Sequence, residues 1–133
     1  MQCVSFVAII LENMEGEVLL LLRDNWSTPT RPKHWTLMGE KVGEDETPEM
    51  AARLLLEEET GLKLDLTFWK RFNREHPLFI IDQHVFTGKV KDSQTLLIPG
   101  KDMQFFKPSE VARLNIGHGF DALLNEYFLI NQR

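Results

Sequence analysis

The chain has 133 residues, with 43% hydrophobic and 26% charged, which predicts one globular domain over residues 1–133. Its net charge of −5 disfavours proteins that coat nucleic acid polymers or anionic membranes, because those surfaces attract basic chains. The longest apolar run, residues 18–22, is too short to span a bilayer, and no signal peptide is visible. A single cysteine, Cys3, excludes an internal disulfide, so a cytoplasmic location is expected.

The first half of the chain predicts strands joined by polar turns. Residues 3–11 are rich in Val, Ile and Phe and predict a buried strand. Residues 18–23 predict a second strand, and the glycine-containing turn between the two indicates a hairpin. Residues 24–33 contain two prolines and several polar side chains, which is typical of a surface loop. Residues 35–38 form a short apolar segment that enters a loop with two glycines.

Local sequence marks both ends of one central helix. Thr47 can cap the helix, Pro48 suits its first position, and Glu49 lies where the helix dipole favours an acid. Gly61 can adopt the left-handed conformation that often ends a helix. The sequence therefore predicts a helix that begins at Thr47 and stops at Gly61.

The second half of the chain returns to strands and closes with helices. Strands are predicted over residues 62–72, 78–90 and 103–106, and helices over a short segment at 108–110 and an amphipathic one at 120–130. Strands outnumber helices, and hairpins flank the central helix. This pattern favours an α/β fold with a mixed sheet covered by helices, not a doubly wound parallel sheet.

Three consecutive glutamates, Glu57, Glu58 and Glu59, occupy the end of the central helix. The helix dipole disfavours acids there, so a cation partner is one explanation and a solvated acidic face is the other. Glu58 and Glu59 project about 100° apart, close enough to bracket one hard divalent ion. Mg²⁺ or Mn²⁺ held in this way commonly carries phosphates, which would let an acidic protein bind a two-phosphate ligand.

Residues 39–62 resemble the Nudix box, G-x5-E-x7-R-E-U-x-E-E-x-G-U, in which U is aliphatic. Residues 58–62 match its closing E-E-x-G-U, Leu56 fills the earlier aliphatic position, and Glu46 has the spacing of the isolated glutamate. The segments before and after the box also look like the flanks of small family members. The resemblance implies a Nudix-type α/β/α sandwich with a central mixed sheet.

Three positions of the box depart from the family pattern. Glu40 replaces the opening glycine, although Gly39 matches the glycine that usually precedes it. Leu54 and Leu55 replace an arginine and a glutamate, and leucine can neither bind a metal nor take a proton from water. The two leucines indicate either a weakened site or an apolar face that packs against the sheet or a partner.

The resemblance also implies site residues. The carbonyl of Gly39 and the carboxylates of Glu58 and Glu59 would bind Mg²⁺ or Mn²⁺, and Glu46 would join the two helical glutamates as a catalytic residue. A further acid from a late loop sometimes completes such sites, and Asp102 is the candidate ligand, with Gln104 on the same face and an exposed loop acid as the alternative.

Two functions follow from the resemblance. One is a divalent-metal-dependent hydrolase of a nucleoside diphosphate linked to another moiety, and the other is an inactive Nudix fold that binds a nucleotide or a protein. Residues 24–33 would select the linked group, and Phe6, Trp26 and Trp35 are either base-stacking or core aromatics. The four histidines lack metal-ligand spacing. Many relatives dimerise, so a homodimer is compatible with the chain, whose oligomeric state and substrate-binding residues the sequence leaves open.

Overall fold

A computed structural model describes residues 2–23, 34–91 and 103–131 of the chain. The elements within them are β1 (Cys3–Glu12), β2 (Val18–Arg23), β3 (His34–Thr36), β4 (Met38–Lys41), α1 (Pro48–Thr60), β5 (Thr67–Glu75), β6 (Ile80–Lys89), β7 (Met103–Phe106), α2 (Pro108–Val111) and α3 (Phe120–Ile130). The predicted central helix is confirmed with both of its boundaries, and so is the terminal helix.

The strands form one mixed sheet in the order β3-β2-β1-β6-β5, with β4 also paired to β1 and β7 to β2. β1 and β2 pair antiparallel, which confirms the predicted hairpin. β1 and β6 pair in parallel along their whole length, from Cys3 opposite Ile80 to Glu12 opposite Lys89. The mixed sheet predicted from the strand pattern is therefore confirmed.

Alternate residues of the central strands face two separate hydrophobic cores. The α1 core lies under helix α1 and comprises Val7, Ile9, Leu11, Leu19, Leu21, Met38, Ala51, Ala52, Leu55, Leu56, Phe86 and Val90. The α3 core lies on the opposite face and comprises Ala8, Ile10, Val18, Leu20, Leu37, Val85, Phe106, Val111, Phe120, Leu123, Leu124 and Tyr127. Because β1 is buried on both faces, it reads as a continuous apolar run. Helices on both faces of the sheet give the α/β/α layers.

The predicted strand 62–72 and the short apolar segment 35–38 differ most from the structure. β5 begins at Thr67, not at residue 62, because Leu62, Leu64 and Leu66 pack against the α1 core from an irregular segment. The alternation of these leucines with polar residues shows which side chains are buried. It does not show that the segment is hydrogen-bonded to another strand. The predicted segment 35–38 is split between β3, which pairs with β2, and β4, which pairs with β1.

None of the helices in the described ranges is both long and apolar enough to cross a membrane.

Candidate functional site

A tight loop leads from β4 into helix α1. The amide of Gly43 donates a hydrogen bond to Glu46 Oε1 at 2.9 Å, and the amide of Glu46 donates to the Gly43 carbonyl at 3.1 Å. A Cβ atom at Gly43 would lie 2.8 Å from Glu46 Oε1, so glycine allows this close approach. Thr47 then caps the helix by accepting a hydrogen bond from the amide of Met50 at 3.2 Å. Glu46, predicted as catalytic, thus closes the loop in this structure.

The last turn of helix α1 contains three glutamates and no basic residue. Gly61 adopts φ +75° and donates its amide to the Glu57 carbonyl, as predicted for a helix-ending glycine. Glu57 forms an exposed ion pair with Lys63 at 3.8 Å. Glu58 is exposed and Glu59 is half-buried. The glutamates therefore lie at the C-terminal end of the helix, where the helix dipole is unfavourable to negative charge.

Glu40 joins the predicted acids from the neighbouring strand β4. Its pKa is raised above the ordinary glutamate value by burial first and then by the negative charges of Glu58, Glu46 and Glu59. These four glutamates are called the acidic cluster below. The spacing of the box identifies Glu46, Glu58 and Glu59, whereas Glu40 is a departure from the box. Its position next to Gly39 was the signal that could have identified it.

The carboxylates of the acidic cluster are neighbours but do not form a closed cage. Among residues 2–23, 34–91 and 103–131, no three His, Cys, Asp or Glu side chains are already arranged to hold one metal ion. Asp102, the predicted further ligand, lies outside the described residues. Gln104, its alternative, is exposed on β7. The structure thus brings Glu40, Glu46, Glu58 and Glu59 together and is silent on Asp102.

Gly39 packs closely against β1 at the start of this site. A Cβ atom there would lie 3.0 Å from the Val7 carbonyl oxygen, tighter than most real contacts, so a larger residue would push β4 away. In the sheet Gly39 lies opposite Ala8 and Glu40 lies opposite Val7. Ala8 belongs to the α3 core and Val7 to the α1 core. Consecutive residues of β4 therefore serve opposite faces of the sheet.

The two leucines that depart from the box have different environments. Leu55 is 3% exposed and belongs to the α1 core, whereas Leu54 is 43% exposed. This confirms the expectation that at least one of them packs against the sheet. Leu55 lies three residues before Glu58 on the same face of the helix, so the packed leucine supports the acidic cluster from below.

A second group of charges lies on the same face of the sheet, on β5 and β6. Arg71 donates hydrogen bonds to Asp82 through Nε at 2.8 Å and Nη2 at 2.9 Å, and His84 Nε2 lies 3.3 Å from Asp82 Oδ2. The bond from Arg71 is the main reason that the pKa of Asp82 lies below its usual value. The Asp82 carboxylate is buried, and its negative charge is paired with Arg71. Arg71, Asp82 and His84 are called the Asp82 network below.

A cavity of about 240 Å³ opens on the opposite face of the sheet, and we call it the sheet cavity. Its lining consists of Phe6, Val7, Thr36, Leu37, Gly39, Arg74, Gln83, His118 and Phe120. Phe6, one of the candidate base-stacking aromatics, lines this cavity, whereas its polar lining residues carry no signal in the sequence. Trp35 packs against Phe106 with ring centroids 4.7 Å apart, which supports its interpretation as a core residue. Trp26 and the predicted selectivity loop 24–33 lie outside the described residues.

The fold agrees with that of known proteins. The chain is similar to the E. coli ORF135 protein, with 24% identity, a TM-score of 0.78, and coverage of 99% of this chain and 93% of that one. A mutT/nudix family protein from Listeria innocua has 23% identity and a TM-score of 0.82, with 98% and 94% covered. The NUDIX domain of Shewanella oneidensis NrtR, complexed with ADP ribose, has 17% identity and a TM-score of 0.74, with 100% and 90% covered.

These identities are low, so the three solved structures show the shared fold alone. No curated protein sequence matches the chain significantly. The family model described as the NUDIX domain matches residues 1–125, which is nearly the whole chain. With that match, and with the predicted sandwich and box helix both present, the chain belongs to the Nudix family.

Proposed function

We propose that this chain is a divalent-metal-dependent hydrolase that cleaves a phosphoanhydride bond in a nucleoside diphosphate linked to a second group. The family acts on nucleoside diphosphate derivatives. The observation that carries the proposal for this chain is the acidic cluster, in which the negative charges of Glu58, Glu46 and Glu59 act on Glu40, the residue next to Gly39. The complex of the NrtR NUDIX domain with ADP ribose supports a ligand of this class.

The donor set suits Mg²⁺ or Mn²⁺. Both are hard ions that take oxygen ligands, and the cluster offers carboxylates from two elements next to a backbone carbonyl. Glu58, Glu59 and the Gly39 carbonyl would hold the ion, with Asp102 as a further candidate ligand. Because the carboxylates do not yet form a cage, their side chains would turn inward when the ion binds. The bound ion would neutralise the diphosphate and lower the pKa of a water molecule.

The chain's own residues would then orient the reactants. Glu46 fixes the loop before the helix through Gly43, so it would set the approach of Gly39 to the substrate. Glu58 and Glu59 are candidate catalytic residues because water placed beside the ion would lie within their reach. Leu55 has no carboxylate to offer, and its side chain is packed in the α1 core. We therefore propose that hydrolysis is slower than in relatives with the complete box.

The proposal is tested by hydrolysis of nucleoside diphosphate derivatives bearing each of the four common bases, including ADP-ribose, with Mg²⁺ or Mn²⁺. We expect turnover that chelation by EDTA abolishes. Glu58→Gln should lower turnover roughly 10²-fold or more, because it removes one charge at the reacting centre. The matched control is Glu57→Gln, one residue earlier, which breaks only an exposed ion pair with Lys63 and should change turnover little.

Two outcomes would contradict the proposal. If the whole panel stays intact with both ions, the chain is not a hydrolase of this class. If Glu57→Gln and Glu58→Gln lower turnover equally, the reacting centre does not lie in the acidic cluster.

A further inference from the structure

Two apolar side chains of helix α1 are left out of the α1 core. Met50 is 44% exposed and Leu54 is 43% exposed. The alanines and the other leucines of the helix are buried in the α1 core. Met50 and Leu54 are four residues apart, or about 6 Å along the helix axis, so they are neighbours on one flank of the helix. We call these two residues the apolar stripe.

Helix formation does not explain why the side chains of the apolar stripe are apolar. Gln, Glu, Lys and Arg favour a helix about as much as Leu and Met do, and they interact better with water at an exposed position. Apolar surface that stays in water adds nothing to the stability of the fold, but it stabilises a complex when a ligand covers it. The stripe is therefore better explained by contact with a ligand than by the helix itself.

The apolar stripe lies between two members of the acidic cluster. Glu46 precedes the helix, and Met50, Leu54 and Glu58 follow one another at steps of four residues on the same flank. The negative charges of Glu46 and Glu58 both act on Glu40 of β4, and helix α1 packs against β4 as well as β1. The flank that carries the stripe therefore runs beside the acidic cluster. A ligand bound to the cluster would meet the stripe within one turn of the helix.

The chemistry of the apolar stripe suits a hydrocarbon group and not a sugar. The leucine side chain has no hydrogen-bonding atom, and the methionine sulfur is only a weak acceptor. A sugar held against them would lose water from its hydroxyl groups without gaining new partners. A hydrocarbon would gain by leaving water, and the flexible methionine side chain adapts to an irregular apolar shape. The arginine that the Nudix box has at position 54 would instead offer five hydrogen-bond donors.

We propose that the group linked to the nucleoside diphosphate is a hydrocarbon, either an alkyl chain or an aromatic ring, and that Met50 and Leu54 contact it. Both are specificity-determining residues, because they act on the linked group and not on the bond that is cleaved. The inference rests on the proposed function, which places the diphosphate at the acidic cluster. Leu54 lies one turn of helix from Glu58, so the linked group is the part of the ligand nearest to the stripe.

Two non-hydrolysable analogues separate the effect of the linked group from that of the rest of the ligand. Both are ADP derivatives with a methylene group between the two phosphorus atoms. One carries an octyl chain on the terminal phosphorus, and the other carries ribose. Calorimetry with Mn²⁺ would measure both dissociation constants. The octyl analogue should bind on the order of 10-fold more tightly, the effect of about two buried methylene groups.

Leu54→Gln and Met50→Gln replace the apolar side chains by one that favours a helix about equally. Each variant should bind the octyl analogue several-fold more weakly and the ribose analogue about as well as the parent chain does. The double variant should reduce the ratio of the two constants to about 1. Leu129→Gln is the matched control, since it changes a leucine that is 71% exposed on α3, on the opposite face of the sheet.

The parent chain gives a second measurement that needs no variant. The methyl resonance of Met50 should shift when the octyl analogue binds and stay in place when the ribose analogue binds. Circular dichroism would confirm that each variant is folded.

Four outcomes would overturn the inference. Equal binding of both analogues by the parent chain is one, and a ratio that survives the double variant is another. If Leu54→Gln dissociates a dimer in sedimentation experiments, the stripe is an interface between copies of the chain. If neither analogue binds with Mn²⁺, the inference and the proposed ligand class are both wrong. Equal binding together with hydrolysis of the diphosphate panel leaves the hydrolase proposal intact, whereas octyl preference without hydrolysis supports the stripe and overturns only the hydrolase proposal.

Discussion

The Asp82 network and the acidic cluster both place carboxylates on the α1 face of the sheet, but they treat the charge in opposite ways. Asp82 is buried and receives two hydrogen bonds from Arg71, and its pKa is lowered. The side chain of Glu40 is largely exposed, and its pKa is raised first by partial desolvation and then by the negative charges of Glu58, Glu46 and Glu59. The first carboxylate is stabilised by its neighbours and the second is destabilised by them.

This difference separates a structural use of charge from one that suits a ligand. A carboxylate that is satisfied within the fold has little to gain from an added cation. Carboxylates that repel one another lower their free energy when a cation joins them. We make three predictions about stability from this comparison. Each changes a residue that belongs to, or packs beneath, one of the two groups.

The largest effect should come from removing the packed leucine that supports the acidic cluster. Leu55→Ala should lower the free energy of unfolding by about 2–4 kcal/mol, because it leaves a cavity in the α1 core. Urea unfolding measures the difference. Leu54→Ala, at the neighbouring and partly exposed position, is the control and should cost less than about 1 kcal/mol. Equal costs for the two variants would mean that Leu55 is not packed as described.

A smaller effect should follow from removing the balanced charge. Asp82→Asn should cost about 1–2 kcal/mol at pH 7, a figure reduced for the 63% exposure of the Arg71 side chain. The pKa of Asp82 is lowered on folding, so its contribution is present above the unfolded pKa and is lost as pH falls through the folded pKa. The cost in urea unfolding should therefore shrink between pH 7 and pH 3. Asp65→Asn, on an exposed segment, is the control. A cost that is the same at both pH values would contradict this account.

The smallest effect should have the opposite sign. Folding raises the pKa of Glu40, so its charge destabilises the fold above the folded pKa and has no effect well below the unfolded pKa. Glu40→Gln should stabilise the metal-free chain at pH 7 by about 0.5 kcal/mol or less, since water screens an exposed group. Thermal unfolding in low salt at pH 7 and pH 3 measures this, with Glu44→Gln, in the loop that follows β4, as the control. Destabilisation at pH 7 would show that the cluster is not mutually repulsive.

The sequence predicts helix α1 well because its boundaries depend on nearby residues. Thr47, Pro48 and Gly61 each act through backbone groups within about one turn, so no knowledge of the fold is needed. The strand predicted from residue 62 is wrong over residues 62–66, because strand pairing depends on residues far away in the chain. Leu62, Leu64 and Leu66 alternate as a strand would, but pairing depends on a partner that the local pattern does not reveal.

Some residues of the candidate site can likewise be predicted from the local sequence, and others cannot. Glu46, Glu58 and Glu59 lie within one segment, and the spacing of a known motif identifies them. Arg74 and Gln83 reach the sheet cavity only because β5 and β6 pair in a particular register, with Arg74 opposite Ile81 and Phe72 opposite Gln83. No sequence pattern within either strand indicates which polar side chain will face a cavity. That information is contained in the pairing of distant strands.

The parallel pairing of β1 with β6 also has a consequence for how the chain folds. Phe6 and Gln83, which meet across these strands, are separated by 77 residues. The entropy of closing such a long segment opposes folding until the contacts are made, and topologies of this kind fold slowly. During synthesis β1 leaves the ribosome well before β6 exists, as an apolar strand with an unpaired edge. A central strand whose second half is buried in the finished protein is thus exposed to aggregation while the chain is being made.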